Sequence, residues 1–187
     1  MKLFAVLFMF AGLALAQSSG PQLATRPASS NASEQRIVKE VRHELVMQPY
    51  YTLFDDLEYQ VNDGTVTLLG AVTNPTLKMD AENAVKHIEG VEKVVNQIKV
   101  LPPSPTDDRI RRAEARAIFG NDGLFRYSWS AVPPIHIIVD SGHVTLKGVV
   151  DNVSDKNLAN IAANQVPGVF SVTNDLQVAG TSSTAKK

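Results

Sequence analysis

The sequence predicts an α+β protein of two tandem domains, each ordered α-β-β-α-β. Three observations carry this. Residues 64–100 slide without a gap onto 142–178, an offset of 78, with 15 identities in 37 positions, against about two or three for unrelated sequence. Asn62-Asp63-Gly64 and Asp140-Ser141-Gly142 each separate two runs of alternating apolar residues, the mark of a β-hairpin. Each hairpin then gives way to apolar residues at helical spacing.

In the first copy, Val38, Val41 and Leu45 follow Ser33, read as an N-cap, and predict the opening helix. Leu57, Tyr59 and Val61 alternate before the turn, and Val66 and Leu68 after it. Leu77, Ala81, Ala84, Val85 and Ile88 form one stripe of a second helix, which Gly90 ends. Val94, Asn96, Ile98 and Val100 alternate as the last strand. The second copy repeats the order, with Ile110, Ala113 and Ala117 on its first helix, Ile135, Ile137 and Val139 before the turn, and Val172, Leu176 and Val178 at the end. Its first helix aligns at an offset of 72, so six extra residues are expected before the first strand, around Gly120 to Pro134.

The flanks read differently. Lys2 followed by an apolar run to Leu15 and the small-residue site Ala14-Leu15-Ala16 predicts a signal peptide over 1–16, cleaved before Gln17. That run falls short of the ~20 residues that span a bilayer, so the mature chain is expected to be soluble. Residues 17–33 read as a flexible leader, 34–101 as the first domain, 102–105 as a proline-rich linker, 106–179 as the second domain and 180–187 as a disordered tail. Export would make disulfides available, yet the chain has no cysteine. Each core must therefore hold by packing alone, and both thiol catalysis and a lipid anchor on cysteine are excluded. Without Lys2 the chain carries 17 basic and 19 acidic residues, net −2, which speaks against nucleic acid as a partner.

The run from Val61 through Asn62-Asp63-Gly64-Thr65-Val66-Thr67-Leu68-Leu69 to Gly70, an alanine-rich helix, and Glu89-Gly90-Val91-Glu92-Lys93-Val94-Val95-Asn96 together resemble the BON domain family. The second copy carries the counterpart runs from Val139 to Gly148 and from Pro167 to Asn174. The resemblance covers about 34–178. It implies two domains, each a three-stranded mixed sheet covered by two helices, and an export route to the periplasm, secreted or peripheral on the outer membrane. It also implies no catalytic residues, and an association with phospholipid surfaces and with envelope maintenance under osmotic stress.

No motif for chemistry stands out. The glycines are too scattered to cradle a phosphate. His43, His87, His136 and His143 lack ligand spacing, so they read as surface imidazoles, with no metal site and no cofactor. Asp55, Asp56 and Glu58 read as a solvated edge, and Asn96 and Asn174 as structural groups that bond backbone near a helix end. The candidate binding residues lie in the second copy. Arg109, Arg112 and Arg116 fall within about 60° of one another on a helix, and the inserted loop offers Phe125, Arg126, Tyr127 and the single tryptophan, Trp129. Aromatic rings beside arginines suit a bilayer interface; the competing reading packs the rings inside and pairs the arginines with Asp107, Asp108 and Glu114. The expected function is non-catalytic binding of an anionic phospholipid surface, with a chaperone-like or adaptor role toward envelope proteins as the alternative, and no small-molecule substrate evident.

Overall fold

The computed structural model describes residues 28–180, with side chains from residue 33 onward. The signal peptide read at 1–16, most of the leader and the tail beyond Gly180 lie outside the described residues. Among the described residues no helix is long and apolar enough to cross a membrane.

The first copy runs α1 (Ala28–Val46), β1 (Asp56–Asn62), β2 (Thr65–Val72), α2 (Pro75–Lys86), β3 (Lys93–Asn96) and β4 (Lys99–Val100). The second runs α3 (Pro105–Phe119), a 3-10 turn (Phe125–Trp129), β5 (Ile135–Asp140), β6 (His143–Val150), α4 (Val153–Asn164), β7 (Ser171–Asn174) and β8 (Gln177–Val178). The helix of the first copy opens ahead of Ser33, which therefore lies inside it and is not its cap.

Each hairpin closes on two consecutive residues at positive φ, Asp63 with Gly64 and Ser141 with Gly142, the backbone of a tight turn that matches strand twist. β2 then pairs parallel with β3 and β4, as β6 does with β7 and β8. The expected third strand is thus two short segments in one register: Leu68 faces Asn96 and Ala71 faces Lys99. The break has a side-chain cause. Asn96 Oδ1 accepts the Ile98 amide at 3.1 Å while its Nδ2 donates to the Lys78 carbonyl of α2 at 2.9 Å. Asn174 repeats both bonds, to Leu176 and Lys156. The structural reading of these two asparagines holds. Gly70 and Gly148 mark a second shared constraint, since a Cβ at either would lie 2.2 or 1.9 Å from the carbonyl oxygen of Asp56 or Pro134.

The two helices of each copy cover one face of its sheet. In the first core Ile37, Val41 and Leu45 of α1 meet Leu77, Ala81 and Val85 of α2 over Val66, Leu68 and Val72. Val38 is more than a third exposed, so the stripe begins one residue earlier than the sequence spacing suggested. On α3 the inward positions are Ile110, Glu114 and Ile118, whereas Ala113 and Ala117 are only half-buried. The helices therefore align at an offset of 73 and the insertion is five residues, not six. A glutamate at the central core position made alanine the better match by composition.

The copies are joined by more than the linker. Leu53 and Phe54, from the loop before β1, pack against the second core, and the Ile137 amide on the outer edge of β5 donates to the Leu53 carbonyl at 2.8 Å. That bond occupies part of an edge that would otherwise be open. Tyr51 stacks on His136 with centroids 5.3 Å apart, and Lys147 pairs with Glu58 at 2.7 Å and Lys99 with Asp140 across the same seam.

Candidate functional site

Five extra residues between α3 and β5 give the second copy a feature the first lacks, and their attachment explains which side chains are left outside. The 3-10 turn packs on α3 and is held from below by Tyr127, which is buried. The Tyr127 hydroxyl donates to Asp155 at 2.6 Å and accepts the Asp151 amide at 2.8 Å. Arg126 lies over the Tyr127 ring at 4.7 Å and pairs with both Asp155 and Asp151. Asp155 also takes the Asn152 side-chain amide, so Arg126, Tyr127 and Asn152 all converge on its Oδ2.

The corresponding position of the first copy is Leu77, fully buried in an apolar core. The second copy has thus exchanged a core leucine for an aspartate and supplied its partners from the insertion. Of the residues expected as contacts, Tyr127 is buried and anchors the turn, while Arg126 helps to anchor it and stays exposed. Phe125 and Trp129 are left outside at 53% and 78% exposure, edge to face with centroids 6.2 Å apart.

Arg109, Arg112 and Arg116 are exposed on α3 and make no ion pair with a described residue. The acids thought to neutralise them are engaged elsewhere. Asp107 accepts the amides of Ser141 and Gly142 at the hairpin turn, at 3.0 and 2.9 Å. Asp108 pairs with the buried Arg111, whose other arm donates to the Val139 carbonyl at 2.7 Å. Glu114 points inward; it is fully buried, neither carboxylate oxygen has a hydrogen-bond partner, and burial raises its pKa to about 8. The first copy handles the matching face differently. Arg36, at the place of Arg109, pairs with Glu40 and Glu89, while the residue matching Glu89 is Pro167, which lines the same shallow depression as Arg109 and Arg116.

Two other readings change. Asp55 is fully buried and not part of a solvated edge, because it accepts the amides of Thr52 and Thr73 together with both threonine hydroxyls. His136 is no surface imidazole: it lies in the seam, Nδ1 without a partner, and burial holds its pKa below the usual value. Thr52 is a local partner of Asp55, but Thr73 reaches it from beyond the hairpin and Tyr51 reaches His136 from the other copy, so neither burial was legible from the adjacent residues alone. Among the described residues no three acids or histidines gather as a metal-binding group.

Two sheets of identical topology, each under two helices, define a tandem α+β protein built from two copies of one unit. The family model for the BON domain matches residues 33–102 and again 107–180, and the chain belongs to that family. No curated protein sequence matches it significantly. Among solved structures it is similar to the C-terminal domain of CdsD, a structural protein of the type III secretion system of Chlamydia trachomatis, with 13% identity over 76% of this chain and 96% of that one at a TM-score of 0.30. A second structure of CdsD gives 12% identity, 75% and 91% coverage and a TM-score of 0.29.

Proposed function

We propose that the protein is an exported, non-catalytic envelope protein that binds anionic phospholipid surfaces through its second copy and so supports envelope integrity under stress. Family membership supports the envelope setting. The observation that carries the choice of copy is the set of three arginines on α3 that pair with no described acid, together with the insertion that follows this helix and presents Phe125 and Trp129 from an anchored base. Residues 34–101 carry 7 basic against 11 acidic side chains, whereas 102–178 carry 7 against 8, one of those acids being the inward Glu114. An anionic surface repels the first copy more.

A cation near such a surface contributes ~1 kcal/mol, so three give on the order of 3 kcal/mol. That is reversible, salt-sensitive contact, to which ring insertion at headgroup depth adds. The test is flotation of the full chain with phosphatidylglycerol vesicles. The triple variant Arg109→Glu, Arg112→Glu, Arg116→Glu stays with the soluble fraction while the parent floats. If both float equally, the lipid reading fails and the adaptor role, with envelope proteins as partners of the same surface, replaces it.

A further inference from the structure

The seam between the copies holds a half-open cavity of about 450 Å³, walled mainly by the first copy and closed on one side by Val149 and Gln177 of the second. Leu45, Val46 and Leu57 line it from the first copy and Val149 from the second. Its size lies within the ~300–1,000 Å³ usual for small-ligand sites, which are mostly apolar with a few placed polar groups. Val46 and Val149 remain 53% and 47% exposed although they belong to different copies and line the same space. Apolar side chains brought together and left wet gain from an apolar occupant.

The charges around the cavity are asymmetric. Arg42 lines it, is exposed and makes no ion pair with a described residue. A second depression shares Val149 and Gln177 with the cavity and carries Asp56, Glu58 and Asp175 around the single cation Lys147. Lys147 is already held by Glu58 at 2.7 Å and lies 3.9 Å from Asp175. An anionic group is therefore attracted at Arg42 and repelled at the other side, which gives an amphiphile one orientation. A guanidinium suits a carboxylate, which it can meet with two parallel hydrogen bonds.

We propose that this seam binds one free long-chain carboxylate, its alkyl chain against Leu45, Leu57 and Val149 and its head at Arg42. The site is distinct from the bilayer surface assigned to α3 and the insertion, and it couples ligand binding to the docking of the two copies, because both supply its wall.

The test uses the full chain and sodium laurate below its micelle-forming concentration, followed by amide chemical shifts. Expected are saturable 1:1 binding, the largest shifts at Leu57, Val149 and Gln177, and at least tenfold weaker binding for Arg42→Glu and for Val149→Trp, which fills the space. Dodecyltrimethylammonium, with a matching chain and a cationic head, binds at least tenfold more weakly than laurate. The triple arginine variant of α3 binds laurate as the parent does, which separates this site from the vesicle-binding reading. Absence of saturable shifts, equal binding of the two head groups, or shifts confined to α3 and the 125–129 turn would overturn the proposal.

Discussion

Glu114 stands in the second core where Val41 stands in the first. Both are fully buried on the helix that opens their copy, between Ile37 and Leu45 in one case and Ile110 and Ile118 in the other. A valine there contributes apolar burial. A glutamate without a partner must stay protonated, because an isolated charge in that setting costs several kcal/mol.

Stability of the second copy is therefore expected to fall as pH rises. Glu114 has a folded pKa of about 8, above the ~4.3 of an unfolded glutamate. The folded state binds the extra proton between these values, so each pH unit in that window costs ~1.4 kcal/mol and the loss is complete above the folded pKa. Urea unfolding at pH 5, 7 and 9 should show the decline in the parent and a nearly flat profile in Glu114→Val, with the variant more stable at pH 9. Parallel profiles for parent and variant would contradict the assignment.

His136 acts in the opposite direction. Burial holds its pKa below the ordinary value, partly opposed by the nearby backbone of Asp55 and Thr52 and by the Asp55 charge. A base with a lowered folded pKa takes up its proton first in the unfolded state. Its contribution to the seam is thus present above the unfolded pKa of ~6.5 and declines as pH falls toward the folded one. Ring-proton NMR titration should find His136 ionising below pH 6.5; a midpoint at or above that value would mean the Tyr51 stack does not shield it.

Tyr127→Phe removes one hydroxyl that serves two groups, leaving the Asp151 amide without its acceptor and Asp155 without one donor. A buried polar group stripped of its partner costs ~1–3 kcal/mol. The variant should unfold more easily by about that much, show faster hydrogen exchange across 121–131, and float less with anionic vesicles although Tyr127 itself is buried.

Trp129 should report contact directly. At 78% exposure its emission in the free protein should be that of a ring in water, so binding to phosphatidylglycerol vesicles should shift it to the blue, and raised salt should reverse the shift. Trp129→Ala should bind several-fold more weakly with unchanged urea unfolding, because the ring packs mainly on Phe125. An unshifted spectrum in the bound state would place the insertion away from the lipid.

Much of the architecture was legible because its signals are local. A two-residue turn at positive φ sets which strand residues face each other, and period-two alternation then sets the face, so the hairpin Val61↔Val66 and its counterpart Val139↔Val144 follow from the chain itself. The ungapped repeat carried that register to the second copy, and Asn96 and Asn174 announced their role by recurring in one place. The arginine cluster on α3 was legible too, as a matter of angular spacing. What only the tertiary structure decided was the fate of the polar groups. Glu114 hid the true helical stripe, Asp55 and Asp155 are buried, Asp107 and Asp108 are spent on the Ser141-Gly142 turn and on Arg111, and Tyr127 is an anchor where Trp129 is free. The seam is likewise invisible in either repeat alone. The reason is physical: an apolar residue goes inside wherever the periodicity points it, but whether a charged or hydrogen-bonding residue can be buried depends on partners that other strands and helices bring to it from far along the chain.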